Sequence, residues 1–288
     1  MTVTPREFFG TVASIVALLL MIAVNIWWGP NAGYSGAATL QVWGITLALT
    51  VGFILLVGYG INGRPAGLII DNRNRVSLSK FQAICWTVLV LSAFGTVAAA
   101  RMRAGVPDPL AVDIPPELLA AMGISAGSLI ATPALLSLKT TSDASAEQIA
   151  SAAAGTGTPQ DEATAAGRVF GRTTPDAAQW LDMFRGDEVS NADAPDLSKI
   201  QQFLITVLIL GIYGGEIAHL LLSSGAAVVT NGKVTTAATG FLLGKDASMP
   251  LLSQHLIWLM GISHASYLAY KAMPHGSSQP SADQDAVG

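Results

Sequence analysis

Six stretches of about 20 mostly apolar residues dominate this sequence, and each is long enough for a helix to cross the hydrocarbon layer of a bilayer. Charged residues make up only 12% of the chain, well under the ~25% that is usual in soluble domains. Because so few charges cannot cover a surface that faces water, most of the chain must face lipid. The sequence therefore predicts an all-α, polytopic membrane protein with six transmembrane helices. The predicted spans are residues 8–28, 41–61, 81–100, 118–138, 200–222 and 251–270.

The distribution of Lys and Arg predicts the orientation of these spans, because cytoplasmic ends carry the excess of basic residues. With the N-terminus inside, eight basic residues near span ends are cytoplasmic and four are outside. The eight are Arg6, Arg64, Arg73, Arg75, Lys80, Lys139, Lys199 and Lys271. We therefore expect an N-in, C-in, multi-pass protein of a bacterial cytoplasmic membrane. The first span exceeds the roughly 7–15 apolar residues of a signal peptide, so we expect a retained helix.

An internal repeat links the third and fourth spans to the fifth and sixth. The segment 78–82 resembles 197–201 at an offset of 119 positions, and 122–125 resembles 260–263 at an offset of 138. Two blocks in the same order predict a duplicated two-helix hairpin, with both copies in parallel orientation. The predicted organisation is an N-terminal transmembrane hairpin (1–62), a first repeat hairpin (63–139), a cytoplasmic loop (140–196), a second repeat hairpin (197–272) and a disordered tail (273–288).

The repeated residues are of the types that pack and cap helices. Small residues spaced four apart let membrane helices approach closely. We expect this helix-packing role for Gly95, Gly123, Gly127, Gly214 and Gly261. The patterns Ser79-x-x-Gln82 and Ser198-x-x-Gln201 match the capping box at a helix start.

The loop 140–196 is the one sizeable segment expected in the cytoplasm, and it is acidic. Residues 140–171 are rich in small and polar types, which predicts a flexible linker. An amphipathic helix is predicted at 175–185, with Trp180, Leu181 and Phe184 on its apolar stripe. This stripe packs against the protein's own bundle in one interpretation and docks a protein partner in the other.

Ionisable residues within a span are functional-site candidates by default, because a buried charge is costly in lipid. Glu216 lies in the fifth span, with His219 one turn beyond it. If the last two spans touch, His255 meets them in the outer leaflet, and Arg101 is the expected counter-charge. We consider these four residues as an intramembrane polar site, either structural or a proton, ion or ligand site.

Three classes of function remain, and no cofactor is implied. A net charge of −4 argues against nucleic-acid binding, and a single cysteine, Cys85, excludes a disulfide framework. We expect, first, a non-enzymatic membrane scaffold or accessory subunit that engages a protein partner through its cytoplasmic loop. The alternative is a channel or small transporter, as a homo-oligomer, that uses the Glu/His site. A membrane enzyme ranks last, because no convergent group of catalytic residues is visible.

Overall fold

The chain is a mostly helical membrane protein, seen here as a computed structural model. The structure describes residues 4–28, 36–223, 229–230, 233–234, 247–273 and 275. Its α-helices are α1 (Pro5–Ala23), α2 (Gly36–Asn62), α3 (Leu78–Arg103), α4 (Pro116–Ser137), α5 (Ala146–Thr156), α6 (Leu197–Ser223) and α7 (Gln254–Ala272). A π-helical turn, Val24–Trp28, extends α1.

Five of these helices are long and apolar enough to cross a membrane, which confirms the polytopic membrane character. They are α1 with its π-helical extension, α2, α3, α4 and α6. The sixth predicted span forms α7, a helix of 19 residues that is more polar than the other five. The predicted tail lies outside the described residues except for Met273 and His275.

Polar side chains immediately before the helices determine where several of them begin. The hydroxyl of Ser77 accepts a hydrogen bond from the backbone N–H of Lys80 and caps α3. At α6, one carboxylate oxygen of Asp196 accepts from the backbone N–H groups of Ser198 and Lys199. The predicted capping boxes are therefore wrong by about two residues, and Ser79 is buried inside α3 instead.

Helices α3, α4, α6 and α7 surround a common core, and α2 packs on α3 and α6 while α1 packs mainly on α2. Helix α3 meets α6 near the start of both helices, and α4 meets α7 near the end of both. Gln82 near the start of α3 donates to Thr206 near the start of α6, and Thr132 and Tyr267 meet near the ends of α4 and α7. Away from these ends the core is largely apolar, although it also buries polar side chains such as Thr96 and His264. Its members include Trp86, Leu89, Val97, Leu118, Ile209, Tyr213, Ile217 and Met260.

Residues 140–196 form a folded unit, which we call the 140–196 module. The prediction of a flexible linker is wrong, because this region contains α5 and an antiparallel hairpin of β1 (Ala163–Ala166) and β2 (Val169–Arg172). The predicted helix 175–185 is also wrong: two short 3₁₀ turns, Pro175–Ala177 and Trp180–Phe184, replace it. Small side chains pack here around the fully buried ring of Phe170. The module also packs on the ends of the membrane helices, and these contacts help to order it.

A second short hairpin pairs β3 (Val229–Thr230) with β4 (Lys233–Val234) between α6 and α7.

Candidate functional site

The carboxylate of Asp187 lies at the centre of a buried group of charges where the 140–196 module meets the helix ends. Its Oδ2 lies 3.0 Å from Nζ of Lys199 and 3.0 Å from Nζ of Lys271. Its Oδ1 lies 3.0 Å from Nη2 of Arg73. Lys199 is in the first turn of α6, Lys271 is in the last turn of α7, and Arg73 lies between α2 and α3. One carboxylate therefore joins the module to three separate parts of the membrane domain.

A second carboxylate, Asp182, holds two buried arginines beside it. Its Oδ2 lies 2.6 Å from Nη1 of Arg172, and its Oδ1 lies 3.7 Å from Nε of Arg75. Arg75 also donates to the carbonyl oxygen of Gly186 at 2.7 Å. Both guanidinium groups lie over the ring of Phe170, at 5.6 and 5.8 Å from its centroid. Cation–π contacts of this kind are strengthened when they are shielded from water.

A third carboxylate, Glu188, connects the module to the end of α4. Its Oε1 lies 2.7 Å from Nζ of Lys139, and its Oε2 lies 2.8 Å from Nη2 of Arg168. Lys139 follows α4 directly and also donates to the carbonyl oxygen of Met273, just after α7. The module is thus attached by ion pairs near the ends of α4, α6 and α7 and to the loop before α3.

We define the charge cluster as the residues around Asp187 and Asp182. Its members are Asp71, Arg73, Arg75, Arg172, Asp182, Asp187, Lys199 and Lys271. Five cations face three carboxylates, so the cluster carries a formal excess of two positive charges. Removing any one carboxylate would leave a larger excess without water to screen it.

The electrostatics of the cluster keep its central carboxylate ionised. Burial by itself raises the pKa of Asp187, but the charges of Lys199, Lys271 and Arg73 outweigh burial and hold the pKa well below its usual value. Burial and the like charge of Arg73 lower the pKa of Arg75. Among the described residues, no group of three or more His, Cys, Asp or Glu side chains is placed to hold a metal ion. This arrangement of charges attaches the 140–196 module to the helix ends.

A polar layer continues from the charge cluster into the four-helix core. The hydroxyl groups of Ser79, Thr132 and Tyr267 lie within 3.1–3.4 Å of one another. One turn further in, the amide of Gln82 donates to Thr206, and that of Gln202 donates to Gln82. Beyond this layer apolar side chains dominate the core. Buried polar side chains continue into it, among them Thr96, Ser125, Ser128, Ser263 and His264.

The predicted intramembrane polar site is not assembled. Glu216, His219 and His255 have exposed side chains, whereas Arg101 is buried. Arg101 donates to the carbonyl oxygens of Asp108 and Pro109 and so holds the loop after α3. Within the described part of the chain, no ion pair or hydrogen bond joins Glu216 to the other three residues. Glu216 lies about 60° and 100° around the helix axis from the buried Tyr213 and Ile217. It is therefore at the edge of the buried face of α6, and its side chain is exposed.

The glycines that the repeat singled out are not sites of close helix approach within one chain. A Cβ added at Gly95, Gly123 or Gly127 would meet no other atom within 4 Å. At Gly214 and Gly261 it would make ordinary contacts, at 3.6 Å with a Leu89 methyl and at 3.8 Å with an Ile124 methyl, respectively.

Close approach occurs instead at other small residues. A Cβ at Gly10 of α1 would lie 2.9 Å from the backbone nitrogen of Gly60 in α2. A Cβ at Gly36 of α2 would collide with the carbonyl group of Leu222 in α6. Both contacts involve α2, which the repeat argument did not cover.

The buried faces of the repeat helices are displaced by one residue from the sequence alignment. The buried residues Gln202, Thr206 and Tyr213 of α6 match buried residues of α3 at an offset of 120, not 119. The buried residues of α7 match those of α4 at an offset of 139, not 138, with Ser263 as the exception. One residue of offset turns a helix by about 100°, which moves the aligned glycines off the packing faces.

The three residues of the predicted apolar stripe, Trp180, Leu181 and Phe184, are not equally buried. The ring of Phe184 packs edge-on against Phe203 of α6, with centroids 5.0 Å apart. Trp180 and Leu181 remain half exposed, although the Trp180 ring contacts Phe81 of α3 at 5.8 Å. The segment therefore packs on the protein's own bundle through Phe184.

The charge cluster was missed because its members were interpreted one at a time. Arg73, Lys199 and Lys271 were considered only as basic residues near span ends, which predict orientation. A usable signal was present, since Lys and Arg lie at many helix ends on one side while acids lie between the third and fifth spans. No protein-family model, curated protein or solved structure matches this chain, so its function must be argued from this geometry.

Proposed function

We propose that this protein is a non-enzymatic membrane scaffold or accessory subunit that presents the 140–196 module to a protein partner. The observation that carries the proposal is the attachment of the module to the helix ends through buried ion pairs. A flexible loop would lose ordering entropy each time it bound a partner. A module already held in place avoids that cost and presents one fixed surface.

The charge on the exposed face of the module indicates the chemistry of the partner. All three arginines of the module are engaged internally: Arg168 with Glu188, Arg172 with Asp182, and Arg185 with the carbonyl oxygen of Thr156. Acidic side chains remain on the outside. The exposed ones are Asp143, Glu147, Asp161, Asp176 and Asp193. We therefore propose a partner with a basic surface, which this acidic face attracts during encounter.

We further propose six spans in an N-in, C-in arrangement in a bacterial cytoplasmic membrane. Helix α7 packs against α4 and α6 in the core, which supports counting it as the sixth span. The basic residues near the module support its cytoplasmic location. The parallel meeting of α3 with α6 and of α4 with α7 supports the duplicated hairpin. The two copies match with a register one residue longer than the sequence alignment gave.

Cysteine labelling tests this orientation. In a Cys85→Ala background, Ser142→Cys should not react with an impermeant thiol reagent in intact cells, whereas Asp108→Cys should react. Both positions are exposed and lie on opposite sides of the bundle. Reaction at Ser142 alone would reverse the orientation.

Charge reversal tests the scaffold proposal in the full chain. We expect Asp143→Lys/Asp161→Lys to lose proteins that are crosslinked to the wild type in its native membrane. The matched control, Asp108→Lys/Asp113→Lys, changes the charge equally at exposed sites across the membrane and should retain them. Equal crosslinking by both variants would reject the acidic face as the docking surface. Ion flux through the purified protein in vesicles would favour the channel alternative instead.

A further inference from the structure

An apolar groove lies between α2 and α6, and α3 forms its back wall. Its volume is about 630 Å³. Its wall is almost entirely apolar and includes Val51, Ile54, Cys85, Val88 and Val207. Residues on its rim, such as Val51 and Val207, are about two-fifths exposed, so the groove opens sideways towards lipid.

Contacts beyond each end of the groove hold its walls in place. At one end α2 and α6 converge, because Gly36 lies directly against the backbone of Leu222. Nearby, the indole nitrogen of Trp43 donates to the hydroxyl of Ser92 and ties α2 to α3. At the other end the 3₁₀ turn Pro65–Ile69 forms a floor beside the module.

The floor is itself attached to the 140–196 module. The guanidinium Nη1 of Arg64 donates to the carbonyl oxygens of Pro175, Asp176 and Ala178 at 2.9–3.0 Å. Trp180 contributes its half-exposed ring to the groove lining at the same level. Indole rings favour the headgroup region of a bilayer, which places this end of the groove at the membrane surface.

The dimensions of the groove select its occupant. Along α3 the lining runs from Phe81 to Leu89, a height of about 12 Å at 1.5 Å per residue. One leaflet of hydrocarbon is about 15 Å thick, half of the ~30 Å core. A hydrocarbon chain of that leaflet matches this height. It can enter through the sideways opening, and it has no polar group that the apolar wall would leave unpaired.

We propose that this groove is a binding site for one acyl chain of a phospholipid from the leaflet next to the module. The chain enters sideways between α2 and α6 and lies against Cys85 and Val88 of α3. Its headgroup end lies beside Trp180. Because the floor and Trp180 are attached to the module, the bound chain also supports the module from the membrane side. This inference does not depend on the identity of any protein partner.

Gly211 offers a way to fill the groove without disturbing the fold. It lines the groove, and a Cβ added there meets no atom within 4 Å. Gly215 lies one turn further along α6, is equally open, and is outside the groove lining. Gly211→Leu should block the groove, and Gly215→Leu is its matched control.

The experiment uses the full chain in nanodiscs that contain phosphatidylglycerol with a photoreactive diazirine in the middle of one acyl chain. After irradiation, we expect adducts concentrated on groove residues, Cys85 and Val207 among them. Gly211→Leu should reduce these adducts about tenfold, since room for roughly two methylene groups of the chain is lost. Gly215→Leu should leave them unchanged. Thermal unfolding of both variants verifies that each is folded.

Three outcomes would overturn the proposal. The first is an even distribution of adducts around all lipid-facing helices, which is expected of lipids that merely surround the protein. The second is an equal yield for Gly211→Leu and Gly215→Leu. The third is a change of oligomeric state with Gly211→Leu alone, which would make a second copy of the chain the occupant.

Discussion

Replacing Asp187 with asparagine tests whether the charge cluster holds the 140–196 module in place. The change preserves the size of the side chain and removes one negative charge. It leaves Arg73, Lys199 and Lys271 around a neutral amide, with each cation at 3.0 Å from the former carboxylate. The amide can still accept at one oxygen, but its NH₂ group must now face cations.

The expected cost follows from the burial of all four side chains, which are at most 13% exposed. Removing one partner from a buried ion pair typically costs about 3–5 kcal/mol, because the other charge remains without compensation. Three cations share this carboxylate, so we expect a loss at the upper end of that range. Asp161→Asn, which removes an exposed carboxylate from the same module, should cost less than about 0.5 kcal/mol.

Unfolding in mixed micelles with increasing dodecyl sulfate, followed by tryptophan fluorescence, measures both variants. Adding Lys271→Met to Asp187→Asn removes one uncompensated cation and should restore part of the lost stability. If Asp187→Asn destabilises the protein no more than Asp161→Asn does, the cluster is not what holds the module. The same conclusion follows if Lys271→Met makes the asparagine variant worse.

The remaining predictions concern acid sensitivity, helix approach and Glu216. Because the folded-state pKa of Asp187 is depressed, its stabilisation is full above the unfolded value of about 3.9 and is lost as the pH falls further. Asp187→Asn should remove this part of the acid dependence, measured by unfolding at about pH 2–5. Gly10→Ala should destabilise the protein by about 1–3 kcal/mol, because its Cβ would press on Gly60. In the same unfolding assay Gly123→Ala should be neutral or slightly stabilising, because its Cβ meets open space. Glu216→Gln should leave the unfolding midpoint unchanged, since its carboxylate is exposed and pairs with no described residue; a large shift would show that this face of α6 makes a contact that the single chain does not contain.

The membrane helices could be predicted because the requirement behind them is local. A segment in hydrocarbon must satisfy its own backbone groups and present apolar side chains, and both properties are legible in about 20 consecutive residues. Five predicted spans accordingly meet helices that are apolar enough to cross the membrane. The module was harder to predict, because its small side chains offer little apolar area of their own. Phe170 and Met183 are nevertheless fully buried, partly through contacts that other parts of the chain supply.

The candidate site depended on two facts that only the tertiary structure decides. The first is which charges meet: Arg73 and Asp187 are 114 residues apart and pair only because the module folds back onto the helix ends. The second is rotation about each helix axis. The alignment matched Gln82 with Gln201, but the chain buries Gln202 against Gln82, and one residue corresponds to about 100° of rotation. Sequence by itself determined that the chain enters the membrane as helices and that basic residues gather at one set of helix ends. Packing decided which faces of α2, α3, α4 and α7 meet, because the apolar composition of these helices is nearly the same on every side.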